Sequence, residues 1–521
     1  MAMNITFIPL SEFRPRMEAL RREKGMDFLR DMIGMDWGEE GIGAIYLLEN
    51  SVTKENVAVA ARTTDREKAV MPTVSDLWKI AGMYEREVFD FFGIVFSGHP
   101  YMRRLFLRND WVGYPLRKDY DESESLNPVR MFSEKNEEDF IHTVEPDGTI
   151  KLVPDNSFGD KEYVINIGPQ HPATHGVLRF RLSLEGEFIR KVDVHCGYIH
   201  RGIEKISEKY TYPQILALTD RLDYLSAHQN RHALCMCIEK AMGLEITDRT
   251  QYIRTIMDEL QRIDSHLLFI SCAAMDLGAL TAFIYGFRDR EKLLDIFEEV
   301  TGGRLIQNYN VIGGVQADIT PGFAGKVKEY CKYILGKLQE YNDVFTNNTI
   351  TRKRMIDIGI LKREDAISFG CTGGTGRAAG WSCDVRKRHP YALYDKVEFN
   401  EILYSKGDCY NRLRVRIDEI VESVKIITQL IDSIPEGDYK VKTKPIIRIP
   451  EGSYHAAVEG SRGEFGVFIE SRGDKSPYRI KFRPMGLPLV ASMDTLLKGS
   501  KIADLMAVGA TLDYVIPDID R

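Results

Sequence analysis

Leu267–Phe287 reads LLFISCAAMDLGALTAFIYGF, and the reading of this run decides the fold. An apolar stretch of about 20 residues is long enough to span a bilayer. Asp276 stands near its middle, where a carboxylate costs about 2.5–3.5 kcal/mol on insertion scales. The chain has no second run like it. The run therefore predicts a helix buried in a protein core and bent near Gly278. At 521 residues the chain can form two or more domains with sizeable cores around such a helix.

Working outward, apolar periodicity predicts helices from about Tyr212 to Gly243 and from about Arg249 to Phe287. Others run from about Ala324 to Thr346 and from about Leu413 to Ile434. Ahead of them Leu178, Phe180, Leu182 and Leu184 alternate with polar residues, EGE makes a turn and FIRKVDV returns, which predicts a β-hairpin. Behind them SYHAAVEG, GEFGVFIE and YRIKFRP read as strands. Residues 161–521 thus read as a mainly helical domain with β extensions.

Residues 1–120 read as a separate small α/β domain, which makes the chain α+β overall. NITFIPL, GAIYLLEN and NVAVAART are its strands. SEFRPRMEALRREKG, with Ser11 as candidate cap, and PTVSDLWKIAGMYEREVFDFFG are its helices. Between the domains, residues 121–160 are acidic, polar and rich in turn residues, and read as a linker or a partly ordered arm.

The net charge of -7 argues against a general nucleic-acid binder. The start, MAMNITFIPL, has neither a secretory pattern nor an Arg/Ser-rich transit pattern, so a cytoplasmic, prokaryotic setting is expected. None of the eight cysteines forms C-x-x-C, and no zinc, iron–sulfur or disulfide framework is legible. A chain of this kind that handles electrons takes them from a centre held elsewhere.

Four segments carry titratable groups in suggestive settings. GPQHPATHG, Gly168–Gly176, puts His171 and His175 in a loop shaped by glycine and proline. A zinc pair is disfavoured, because Pro172 follows the first ring and no helix can hold H-x-x-x-H there. That leaves an ordinary loop pair, or ligand binding and proton transfer. In LTDRLDYLSAHQNRH, helical spacing puts Asp220, Tyr224 and His228 on one face, flanked by Arg221 and Asp223. Such a cluster is either a satisfied network between helices or a Tyr hydroxyl aimed into a pocket. Asp276 is either a buried helix–helix contact or a proton-relay group, with a raised pKa unless a cation meets it. VHCGYIHRGIEKISE, with His195, His200, Arg201, Glu204 and Lys205, reads on charge pattern as a solvated helix start. GCTGGTGRAAG lacks the G-K-[ST] ending of a phosphate loop.

NIGPQHPATHGVLR, GYIHRGIEK, TDRLDYLSAH, MDLGALTAF and RGEFGV resemble the D (49 kDa-type) subunit of respiratory complex I, the proton-pumping NADH:quinone oxidoreductase. YEREVFDFFGIVFSGHPYMRRL and GYPLRKDY resemble the C (30 kDa-type) subunit. The resemblance covers nearly the whole chain except the linker, and implies a natural C/D fusion. It implies that His175 and Tyr224 hydrogen-bond a quinone, that Asp276 pairs with His175 as proton relay, and that His200 and Arg201 face the terminal iron–sulfur cluster of a neighbouring subunit. His171, Asp220, Asp223 and His228 would support the site, with no metal held by this chain. Implied partners are the cluster-bearing B-type and I-type subunits and the membrane-arm H-type subunit, at the cytoplasmic face of the bacterial plasma membrane.

The same fold family includes nickel–iron hydrogenase large subunits, with R-x-C-x-x-C early and D-P-C-x-x-C late. Here those positions read Arg221-Leu-Asp223-Tyr-Leu-Ser226 and Asp513-Tyr-Val515-Ile-Pro-Asp518, so all four thiolates are absent. A third reading is a non-catalytic scaffold that docks the cluster-bearing partner onto the membrane arm. Ile306 falls where many relatives carry a histidine near the terminal cluster, which points to a low-potential quinone such as menaquinone rather than ubiquinone.

Overall fold

The computed structural model describes residues 2–109, 111–121, 140–145, 147–155, 158, 162–171 and 176–521. The first region is a four-stranded sheet in which Phe28–Asp36, Ile42–Glu49 and Asn56–Thr63 pair antiparallel in sequence order and Thr6–Phe7 joins Asn56–Thr63 in parallel. Helix Leu10–Arg22 buries Phe13, Met17 and Leu20, one apolar stripe at helical spacing. Its N-cap is Pro9, so Ser11 lies inside the helix and is not the cap. The helix expected from Pro72 starts only at Ala81 and ends at Phe92, where Gly93 takes the left-handed conformation.

Strand Phe28–Asp36 escapes the sequence reading. Its FLRDMIGMD pattern does not alternate, because all nine residues are buried. It is an edge strand of its sheet, yet its edge is covered: Arg479 Nε donates to Gly34 O at 3.2 Å and Arg483 Nε to Arg30 O at 2.5 Å. The C-terminal strand Arg479–Arg483 thus joins the two halves of the chain and closes an edge that would otherwise invite foreign pairing.

The expected hairpin is present as Arg179–Glu185 paired with Phe188–His195, and Tyr163–Ile167 adds a third strand. Within the expected linker, Phe140–Val144 and Ile150–Pro154 form a hairpin of their own. Tyr101 Oη donates to Asp155 and Asp193, tying that arm to the main hairpin.

The helical region is built on Asp248–Asp276, which packs against Leu280–Thr301 and Cys409–Leu430. The opening run is therefore two helices, not one bent helix. Gly278, at φ 80°, ends the first, and the Ala279 amide closes back on Ala274 O at 2.8 Å. The second folds back so closely that a Cβ on Gly286 would lie 1.8 Å from Ser271 Oγ. The first part of the run is core, and the second part is so only at Ala282 and Gly286. Met275, Leu280 and Ile284 are 44%, 60% and 54% exposed. Among the described residues no helix is long and apolar enough to cross a membrane.

The helix expected over Tyr212–Gly243 is likewise two, Tyr212–Thr219 and Ala227–Met242, separated by turns over 220–226. The C-terminal strands Gly452–Glu459, Glu464–Ser471 and Arg479–Arg483 form one antiparallel sheet. Short helices, including Asp504–Leu512 and Ile516–Asp520, complete the chain.

Candidate functional site

The break at 220–226 redistributes the expected cluster. Asp220, Tyr224 and His228 do not share a helix face. Asp220 accepts from Arg231 at 3.1 Å, and burial pushes its pKa up to about 6. His228 and His232 clamp the two oxygens of Asp258 at 2.6 and 2.7 Å. Burial alone would raise the Asp258 carboxyl, but the two rings outweigh it and hold it well below the usual range. These groups form a buried polar network between helices, in which Asp220 Oδ1 and His228 Nε2 have no hydrogen-bond partner among the described residues.

Tyr224 goes elsewhere. Its hydroxyl has no hydrogen-bond partner among the described residues, and its ring lines a cavity of about 100 Å³ with Phe269, Cys272, Arg462, Asp513 and Tyr514. Burial raises the pKa of the phenol, which keeps it protonated.

Arg462 is the organising charge of this cavity. It sits on the tight turn between the first two C-terminal strands, where Gly460 N donates to Gly463 O at 2.7 Å. Its guanidinium donates to Asp223 Oδ2 at 3.0 Å, Ser265 Oγ at 3.1 Å and Asp513 Oδ1 at 3.1 Å. The other Asp513 oxygen faces Arg416 at 3.6 Å. The early segment Arg221–Ser226 and the late segment Asp513–Asp518 are about 290 residues apart in sequence and meet through this arginine. The sequence reading missed Arg462 as a site residue. The available signal was an arginine between Gly460 and Gly463, flanked by strand patterns.

Asp276 ends its helix beside the cavity, half-buried rather than sealed in the core. Its charge helps push the Cys272 thiol, already raised by burial, up to about 11, and adds to the burial that raises Tyr514. His175 lies outside the described residues. The stems of its loop are described: Gln170 pairs with Val177 and His171 with Gly176, antiparallel. A Cβ on Gly176 would lie 2.6 Å from Ile516 Cγ1, so this stem leans on the segment that follows the cavity-lining Val515.

His200 and Arg201 diverge. The His200 ring stacks on Phe91 and Phe106 at 5.3 and 5.7 Å, and its Nδ1 meets Asp520 O at 2.5 Å, so it belongs to the joint between the two halves. Glu204 and His195 are buried as well, against the expectation of a solvated helix start. Arg201 is exposed, and its Nη2 donates to Arg221 O at 2.8 Å. Burial, then the neighbouring charge of Arg221, lowers its pKa. The pair makes a small cationic face beside the Tyr224 turn.

The glycine-rich stretch at 370–380 holds helix Gly373–Ala378, whose Arg377 is buried against Glu419 and Glu459. Among the described residues no group of three His, Cys, Asp or Glu side chains could hold a metal. Burial raises the pKa of all eight thiols, which keeps them protonated and poor ligands.

A family model described as the 49 Kd subunit of respiratory-chain NADH dehydrogenase matches residues 276–521, and the model of the 30 Kd subunit matches residues 7–125. The NADH-quinone oxidoreductase C/D subunit of Phocaeicola vulgatus is 67% identical over 516 residues, covering 99% of both chains. The C/D subunit of Bacteroides thetaiotaomicron is 66% identical over 531 residues, again covering 99% of both. The NADH-quinone oxidoreductase D 2 subunit of Rhizobium etli is 38% identical over 387 residues, which cover 69% of this chain and 96% of that protein. Matched over 99% of its length by two C/D subunits, the chain belongs to the family of fused C/D subunits of NADH-quinone oxidoreductase, respiratory complex I.

Proposed function

We propose that this chain forms the quinone-reduction chamber of the complex, in its peripheral arm at the cytoplasmic face of the membrane. The observation that carries the reading is the Tyr224 hydroxyl, which faces a buried cavity with no protein partner among the described residues, while the charged groups behind it are engaged. Quinone reduction takes two electrons and two protons. An iron–sulfur cluster held by a B-type partner supplies the electrons, and Arg201 with Arg221 presents a cationic face to it. An I-type partner completes that side.

In this reading Tyr224 and His175 hydrogen-bond the two carbonyl oxygens of the quinone and donate protons as charge develops there. Arg462 does not donate to the quinone. It fixes Asp223 and Asp513, and with them the turn that aims Tyr224. Asp276 pairs with His175. Proton loss from His175 removes the cation opposite Asp276, and a charge left uncompensated in a partly buried site costs several kcal/mol. Movement or reprotonation of the loop then couples the chemistry to ion transfer in membrane subunits. The exposed Met275, Leu280 and Ile284, next to Asp276, suit an H-type membrane partner at the quinone entrance. The helical region is read as hydrogenase-like, with Arg221 and Asp513 retained from the old metal motifs and Tyr224 occupying the former metal site. The first 120 residues serve as scaffold, and residues 161–521 do both jobs. Ile306 in place of a histidine favours menaquinone, and a cluster midpoint that still shifts with pH would count against that choice.

The test is quinone reductase activity of the whole complex with Tyr224→Phe. If the donor still reduces the cluster while quinone turnover collapses, the chamber is here. Unchanged turnover returns the chain to the scaffold reading.

A further inference from the structure

A second, larger cavity lies away from Tyr224, at the joint of the two halves. Its volume is about 540 Å³, within the range of small-molecule sites. Arg30, from the first sheet, forms one wall. Lys240, Arg388, His389, Tyr391 and His455 line the rest.

The charges around it do not balance. Arg30 pairs with Glu464 at 2.8 Å and Glu49 at 3.4 Å, and Arg388 pairs with the same Glu49. His389 also uses Glu49, at 3.0 Å. Two carboxylates thus pair with Arg30, Arg388 and His389, while Glu401 and Asp27 act on Arg388 without an ion pair to it. Lys240 lines the cavity with no hydrogen bond or ion pair among the described residues, and the His455 ring likewise has none. Burial, then the charge of Arg30, pushes His389 down to about 4 and His455 down to about 3. Both rings are neutral in a field that is positive, the setting an anion would relieve.

The backbone adds donors. Gly452–Glu459 is the edge strand of its sheet. Ser453 O accepts from Met3 N at 2.7 Å, and Glu459 N donates to Tyr391 Oη at 3.1 Å, so these residues direct their backbone groups outward. The strand has no bulge, so His455 and Ala457, between them, do the same. Their amides open beside the cavity. The open stretch holds only these two outward residues, bounded by Met3 and Tyr391, and is too short to pair with an added strand. A compact ligand fits it better than an extended peptide.

We infer that this cavity binds a phosphate-bearing small anion, held by Lys240, the His455 ring and the open amides of His455 and Ala457, beside the Arg30 guanidinium that Glu464 and Asn56 fix in the wall, with the Tyr391 and Met236 side as an apolar wall. Because Arg30 belongs to the first region and the other residues to the second, the ligand would bridge the two halves, in a cavity that shares no lining residue with the Tyr224 cavity.

The experiment is isothermal titration of the purified whole complex with inorganic pyrophosphate and with ADP, comparing wild type, Lys240→Glu and His455→Ala. Neither substituted residue takes part in an ion pair among the described residues, so folding and quinone reductase activity should be retained, and that activity is measured alongside as a control. The expected result is one saturable site per chain, weakened about tenfold or more in both variants. Tighter binding of ADP than of pyrophosphate would show that the apolar wall is used; equal binding would confine the ligand to the anionic end. No saturation by either probe at about 1 mM, or saturation that neither variant changes, overturns the inference.

Discussion

Two buried polar assemblies lie close together in the helical region and differ in one respect. The first is an ionic core. Glu259 accepts from Arg386 at 3.0 Å, Tyr394 at 2.7 Å and Ser423 at 2.7 Å. Arg377 joins Glu459 at 2.6 Å and Glu419, and Glu419 also meets His266 at 3.1 Å. The second assembly is Arg462 with Asp223, Asp513 and Tyr224. In the first, the charged partners enclose one another. In the second, the charges are engaged but the Tyr224 hydroxyl faces an open cavity. Burial and charge alone do not mark a functional site. What separates the second assembly from the first is a phenol that lines a cavity.

The two assemblies are also linked. Arg262 in the core donates to Glu459 O at 2.8 Å and Gly460 O at 2.9 Å, the start of the turn that carries Arg462. The sealed network is the foundation on which the open one is positioned.

The largest expected effect comes from breaking the sealed assembly. Arg386→Ala leaves Glu259 and Asp384 without their shared cation and should destabilise the chain by about 3–5 kcal/mol, read as a lower denaturation midpoint or loss from the assembled complex. A loss under about 1 kcal/mol would mean the network is not the foundation described. Tyr224→Phe acts on the open assembly, and the expectations reverse. Quinone turnover falls by about 10²–10⁴, the range for a lost general acid, while stability changes by less than about 1 kcal/mol. If stability falls and turnover holds, the contrast between the two assemblies is wrong.

A smaller effect concerns acid. Burial alone would raise the Glu464 carboxyl, but Arg30 and then Arg483 outweigh it and hold it at about 2. Its folded pKa lies below an unfolded value of about 4.3. The stability it contributes is present above that unfolded value and is lost as pH falls toward 2. Glu464→Gln should flatten the melting temperature between about pH 4 and pH 2 and leave a lower, more level curve above it. An unchanged acid limb would assign it to other carboxylates. The smallest effect on the chain itself is at the surface. Leu280→Asp with Ile284→Asp should alter stability by no more than about 0.5 kcal/mol. The same pair should reduce co-purification with the membrane-bound partners, and intact co-purification would show that this patch is not their contact.

Much of this was legible in the sequence. The hairpin was written in period-two alternation and the three C-terminal strands were legible as short β-rich runs, whereas the roles that the resemblance implies for Tyr224, His175 and Asp276 stay proposals. The failures share a cause. The runs Tyr212–Gly243 and Arg249–Phe287 each look continuous, because their helical periodicity survives across the breaks at 220–226 and at Gly278. Strand Phe28–Asp36 was missed because both faces are buried and the alternation that marks a strand is absent. Neighbours in sequence at Asp220, Asp223, Tyr224 and His228 were read as one group, yet Asp223 and Tyr224 go to the Arg462 assembly while Asp220 and His228 go to the network between helices.

The sequence by itself determined the mix of helix and strand, the spacing of the thiols and the residue types available for proton chemistry, since periodicity, thiol spacing and titratable groups are local properties. Only the tertiary structure decided which of those groups is spent on internal bonding and which is left to face a cavity. That depends on Arg462 reaching both Asp223 and Asp513, and no local pattern records contacts between segments so far apart along the chain.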